Sequence, residues 1–335
     1  GLLYILNETE KTAGLFKNFS SNKDILIPKS IIYQSQEYLI TKIVARAFEY
    51  DGFIESIQFS KNSELKIIEE GSFSGCSNLK SISIPSTVTH IGAYAFNSSV
   101  NLKSVTFSED SELRSIGEFA FNMNSIESIT IPSKVVELKN GFFYQFHVLT
   151  NINLMSGNEN FIFYEDKFIL GKTSKNSENF DVLLFAKYDI ETAIIPSFIK
   201  IIAPYSFYLC RNLKKICFQE NSELNLIGRS AFYSSFIESV LIPSHVNKIS
   251  SNCFENCTSL NKVEFSKESE LKIIKKSSFY GSSIVNISIP SSVIELGKFA
   301  FAYCREIKSV DFDENSELRI INKNLFYNSN IESFT

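Results

Sequence analysis

Phenylalanine returns at a near-fixed interval along most of the chain, and that interval constrains the fold more than any single motif. Phe48, Phe73, Phe96, Phe121, Phe143, Phe207, Phe232, Phe254, Phe279, Phe301 and Phe326 are separated by steps that mostly alternate between 25 and 22 residues. Ile-Pro pairs keep the same beat: Pro85 and Pro132, Pro196 and Pro243, and Pro243 and Pro290 are each 47 residues apart. A second phrase, Ser-Glu-Leu, falls between them at Ser63, Ser111, Ser222, Ser269 and Ser316. One unit of this length cannot bury its own apolar side, whereas stacked copies can, so the period is that of a solenoid. Its rings are expected to form a continuous internal column.

Each unit reads in the same way. Ile82 and Ile84 alternate with Ser83, the period of a strand with one buried face. Pro85 cannot donate the next ladder hydrogen bond and ends the strand. A second apolar pair, Val88 and Ile91, precedes a small residue and the repeated ring, Ala95-Phe96. That last stretch is predicted to be a short helical or 3-10 turn.

The chain has 335 residues and a formal charge of −4, which argues against nucleic acid, since phosphate binding needs a basic surface. No apolar run approaches the roughly 18–20 residues that cross a bilayer, so no membrane insertion is expected within this segment. The front carries neither an initiator Met nor a basic-then-apolar leader, so Gly1 reads as a processing boundary, with any signal or anchor expected outside the segment.

The run Leu-x-x-Ile-x-Ile-Pro-x-x-Val-x-x-Ile-Gly-x-x-Ala-Phe-x-x-Cys, fullest across Leu79 to Ser99 and Ile284 to Cys304, resembles the BspA-type leucine-rich repeat. The resemblance implies an α/β leucine-rich-repeat solenoid, strand-rich and right-handed, with a parallel sheet along one face and short helical or 3-10 turns opposite. It also implies a surface or secreted protein of a host-associated bacterium or parasitic protist, some members of the family adhering to extracellular matrix or to other cells. Departures are Asp51, Ser99 and Phe146 at the Cys place, and Phe142-Phe143 where other turns have Ala-Phe.

The domain reading is a single elongated solenoid over 1–335. Capping strands occupy 1–26, repeats 27–154, an embedded hairpin 155–194, and repeats 195–335 that stop in mid-unit with the C-terminal cap missing. The hairpin is read from two apolar runs around the polar "TSKNSEN" stretch, where the ring-to-ring step widens to 64.

No catalytic, cofactor or metal site emerges. His90, His147 and His245 share no column of the repeat, and no glycine-rich phosphate loop appears. Cys76, Cys210, Cys257 and Cys304 each sit three residues after a repeated Phe. Copies two turns apart are about 10 Å apart, beyond the roughly 7 Å a disulfide spans, so they read as free, buried spacers. Cys253 takes the small-residue place, and Cys217 an outward strand position. The Glu column of the Ser-Glu-Leu phrases has the same ~10 Å spacing, too wide to share a cation, and its serines read as local turn formers.

The outward sheet face remains. Its first column sets Lys103 beside Glu127 and Lys214 beside Glu238, predicted as cross-strand ion pairs, and also holds Thr150. The third column, which ends at Thr335, is the most varied and loses its small polar character around Lys215, Cys217, Leu241 and Glu264, with Asp311 further on. Those residues are one candidate partner-binding surface; Phe161, Tyr164 and Phe168 of the hairpin are an equal rival. Candidate N-glycosylation sequons start at Asn7, Asn18, Asn97, Asn256 and Asn286. The functional expectation is a non-catalytic extracellular or cell-surface module that binds or adheres to a protein ligand, such as a matrix or host-cell surface protein, without a cofactor. The alternative is an intracellular scaffold for protein contacts, favoured by the free thiols.

Overall fold

A computed structural model describes residues 1–143, 149, 151–174 and 177–334. Phe146, His147, Thr150 and Thr335 lie outside the described residues. The chain divides into two compact units, Gly1–Ile162 and Phe163–Thr335. Each is a strand-rich parallel β-solenoid, and in each the repeat lays down two strand segments per turn.

The longer segment is the alternating Ile stretch. Ser81–Ile84 exposes Ser81 and Ser83 and buries Ile82 and Ile84. Its neighbours stack on it without slip, Ser104 opposite Ser81 and Phe107 opposite Ile84. The second unit repeats this, with Ser239–Ile242 beside Lys262–Phe265 and Asn286–Ile289 beside Ser309–Phe312. The second apolar pair of each turn makes a two-residue strand, such as His90–Ile91 or Lys248–Ile249, and these pair into a second parallel sheet. A single sheet along one face is therefore an incomplete description.

Between the sheets runs the ring column. In the first unit Phe48, Phe73, Phe96 and Phe121 stack at 5.0, 5.2 and 5.4 Å. In the second, Phe207, Phe232, Phe254, Phe279 and Phe301 stack at 4.8, 5.1, 5.2 and 5.3 Å. All are fully buried, and burying each ring contributes about 1.5–3 kcal/mol. Leu65, Leu113, Leu224 and Leu271 of the Ser-Glu-Leu phrases are fully buried beside them.

The predicted helical turns are not there: among the described residues there is no helix. The backbone around each ring alternates instead. Arg46 and Tyr50 flank Phe48 with φ of 61° and 57°, and Asn252 and Asn256 flank Phe254 with φ of 61° and 56°. Such left-handed residues cannot propagate a right-handed helix. Hydrogen bonding alternates with them. Phe48 and Tyr50 donate to Ser72 and Ser74 of the next turn at 2.8 and 2.7 Å, whereas Ala47, Glu49 and Asp51 close turns three residues back. This side of the solenoid is thus a third ladder joining neighbouring turns.

Each unit begins with antiparallel pairing. Leu2–Asn7 pairs with Thr12–Asn18, which then pairs in parallel with Gln36–Ile43. Phe168–Gly171 pairs antiparallel with Val182–Ala186, which pairs in parallel with Ile201–Ile202. The hairpin rings are placed differently from the surface role considered above. Phe168 is fully buried and meets Phe207 edge-on at 6.0 Å, so it lids the second column, and Phe161 is also buried. Neither can contact a partner. Only Tyr164 stays half-exposed, against Phe198 at 6.0 Å.

Candidate functional site

The seven-stranded sheet of the second unit carries most of the predicted surface. Strand parity turns every second residue outward, and Lys215, Leu241 and Glu264 are exposed, with Cys217 and Asp311 half-buried. Leu241 lies directly across from Glu264, whose carboxylate pairs with Lys262 at 3.0 Å. Asp311 is opposite Ser288. One residue was missed: Ile194, paired with Cys217 across the neighbouring strands and 48% exposed, close to the 53% of Leu241. The signal was legible, because the residue before Ile in each Ile-Pro pair faces out, and here it is a second Ile. Ile194, Cys217 and Leu241 thus follow one another along strands whose other outward residues are Ser, Thr, Asn and charge.

One of the predicted ion pairs behaves differently. Lys214 and Glu238 are joined by a backbone bond of 3.0 Å rather than by their side chains. The cross-strand pairs of that column centre on Glu55, which receives Lys23 at 2.7 Å and Lys80 at 3.1 Å; these contacts hold its carboxyl below the usual range.

The buried thiols and the acidic column are held by local partners. All six cysteines are free. Cys76, Cys257 and Cys304 donate to the carbonyls of Phe48, Phe232 and Phe279 at 3.1, 3.0 and 3.1 Å, as the Ser99 hydroxyl does to Phe73 at 2.8 Å. Burial pushes the Cys257 thiol up to about 12 and Cys304 to about 11, so neither is a thiolate at neutral pH. Each Ser-Glu-Leu serine accepts from the Leu amide two residues on, for example Ser269 from Leu271 at 3.3 Å, the local turn bond expected of it. Each Glu has a nearby partner: Glu64 with Lys66, Glu112 with Lys134, Glu223 with Lys200, Glu270 with the His245 ring, and Glu317 with Lys272. Among the described residues no three His, Cys, Asp or Glu gather as metal ligands, and no helix is long and apolar enough to cross a membrane.

The sequons divide by burial. Asn18 is buried, and its amide nitrogen is held by Asp51 at 2.7 Å, so it cannot receive a glycan. Asn97 and Asn256 are half-buried, their amides directed to Ser74 and to the Tyr233 hydroxyl. Asn7 and Asn286 are exposed.

A feature that single positions do not reveal comes from unequal corners. In the second unit the long and short strands are joined by seven residues at 219–225 and 266–272, but by five at 243–247 and 290–294. The shorter corners leave notches between the longer ones: about 620 Å³ beside Pro243 and about 860 Å³ beside Pro290. The first unit has one of about 800 Å³ beside Pro85. The corner at Pro196 is instead engaged by Gln219, whose side-chain oxygen accepts from the Ser197 amide at 3.1 Å.

Parallel turns stacked on a ring column, with corners and a sheet face as the accessible surfaces, define a leucine-rich-repeat-like solenoid. The BspA type leucine rich repeat region matches in several copies over residues 41–169, 159–235, 178–272 and 225–335, and the chain belongs to that family. Among solved structures it is similar to a leucine rich cell surface protein of Faecalibacterium prausnitzii, at 20% identity and a TM-score of 0.71 over 93% of each chain. It is also similar to the pneumococcal vaccine antigen PcpA, at 22% identity and a TM-score of 0.67 over 94% of this chain and 80% of that one. A leucine-rich repeat protein of Eubacterium ventriosum aligns at 20% identity and a TM-score of 0.65, over 98% and 92%. A search of curated proteins finds no match.

Proposed function

We propose that the protein is a non-catalytic binding module of the cell surface or the extracellular space, and that it holds a protein ligand on the long-strand face of its second unit. The observation that carries this is the row Ile194, Cys217 and Leu241, an apolar strip on a polar sheet, flanked by Lys215 and Glu264. Apolar side chains half-open to water on a rigid frame are where contact releases the most hydration. The outside location draws support from the similarity to the Faecalibacterium cell surface protein.

Antibody labelling of intact, unpermeabilised source cells, with a permeabilised control, tests location. Binding of the folded protein to immobilised extracellular-matrix proteins and host-cell surfaces tests the ligand. Labelling only after permeabilisation would sink the surface reading. The second reading, an intracellular scaffold, is favoured by the six free cysteines, and that same labelling outcome would support it.

A further inference from the structure

We propose that the notches beside Pro243 and Pro290 take successive anchor residues of one basic, proline-rich segment in polyproline II conformation. This deepens the binding-module reading and rests on it. The two corners belong to one sheet and are separated by two strand steps, about 10 Å. In polyproline II every third residue returns to the same side after about 9 Å. An extended strand ligand repeats its side chains at about 7 Å, which misses the second notch. A helical ligand regains the spacing only at every seventh residue, and its internally bonded carbonyls offer nothing to the notch hydroxyls.

Those hydroxyls are placed to donate. Ser222 and Ser269 each accept from a backbone amide, of Leu224 and Leu271, which leaves the O–H proton of each for another acceptor. A polyproline II backbone has no internal hydrogen bonds, so its carbonyls are the acceptors on offer. Phe218 and Phe265, half-buried at the strand ends, add an aromatic wall beside the prolines, the lining that such ligands favour.

The charge sets the ligand's sign. The notch at Pro243 is lined by Glu220, Glu223 and His245 with no Lys or Arg, Glu223 being paired with Lys200 from outside the lining, and the notch at Pro290 by Glu264, Asp311 and Asp313 against Lys262 and Lys267. Both favour a cation on the segment.

The test uses the whole chain and a fluorescent nonapeptide of three Arg-Pro-Pro repeats. Its controls are an isomer with the arginines clustered at one end and a Glu-Pro-Pro counterpart. The repeat peptide is expected to bind about tenfold or more tighter than either control. Ser244→Arg and Ser291→Arg, at half-exposed positions that keep the fold, are each expected to remove that advantage with melting unchanged. Equal affinity of the repeat and clustered peptides, or indifference to both substitutions, overturns the proposal. Cell labelling and matrix binding do not depend on this peptide, so its failure would leave the binding-module reading standing.

Discussion

The two units build the same ring column to different standards. In the second, Phe232, Phe254, Phe279 and Phe301 lie within 3° of parallel from ring to ring. In the first, Phe143 is tilted 44° to Phe121 at 6.3 Å. The cause is one residue back. Ala95, Ala120, Ala231 and Ala300 precede rings that stack flat, whereas Phe142 puts a second ring at 4.5 Å and 54° against Phe143. Stacking depends on a small neighbour, and the column tolerates its loss by tilting.

Truncation sharpens that comparison most. Phe254→Ala is expected to cost about 3–5 kcal/mol, read from denaturant unfolding or hydrogen exchange of residues around the ring. Phe121→Ala should cost about 0.5–1.5 kcal/mol less, because one of its two stacking partners is already tilted away. Equal losses would mean that ring geometry contributes nothing beyond burial.

The entry to the second unit has a buried carboxylate, Asp181. It accepts from the Thr173 amide at 2.8 Å, the Thr173 hydroxyl at 2.9 Å and the Ser177 hydroxyl at 3.3 Å, with Lys200 at 3.5 Å. Burial alone would raise its pKa, but the bonds from Thr173, its own backbone amide and the Lys200 charge together lower it. A folded-state pKa below the unfolded value means that this stability is present above the unfolded pKa and is lost as pH falls through the folded one. Acid titration should therefore loosen the segment at Thr173, Ser177 and Asp181, and Asp181→Ala should remove about 1.5–3 kcal/mol at neutral pH and flatten that response. An unchanged acid response in the variant would discard the assignment.

Smaller effects separate the turns. Gly75 has φ of +72°, and a Cβ there would meet the Tyr50 ring at 2.5 Å, so Gly75→Ala should cost about 1–2 kcal/mol through the backbone and the clash together. Phe299, at φ 60°, carries a ring in the same left-handed region, and Phe299→Gly tests whether relief of that strain outweighs the loss of ring contact. Smallest of all is Cys253→Ala, expected within about 1 kcal/mol of wild type in melting because Ala231 and Ala300 hold the same place. A larger loss would show that the thiol does more than fill space.

Periodicity made most of the fold legible. A ring that must meet its copy, an Ile that must alternate and a Pro that must stop a strand leave few arrangements, and the repeated Phe and Ile-Pro positions fell where those rules put them. The turns were misread because most positions with positive φ, Tyr94 and Ser98 among them, are not glycine, so the sequence carries no mark of them. Phe168 was misread for a different reason. Its burial depends on Phe207, a contact that no local pattern encodes. The outward sheet residues could be read from parity alone, Ile194 included, whereas the notches come from a difference in corner length that only the stacked turns bring into view.

The third ladder has a mechanical consequence. Along a unit the bonds between turns, in both sheets and on the ring side, run in the direction of stacking, as those from Phe254 to Ser278 and from Asn256 to Tyr280 do at 2.7 Å. Tension applied lengthwise would load one boundary between turns before the next, so the unit should yield in steps as a zip does. Each released turn of 22 or 25 residues frees roughly 80 Å of chain. A tether made this way lengthens under load and keeps its remaining turns folded.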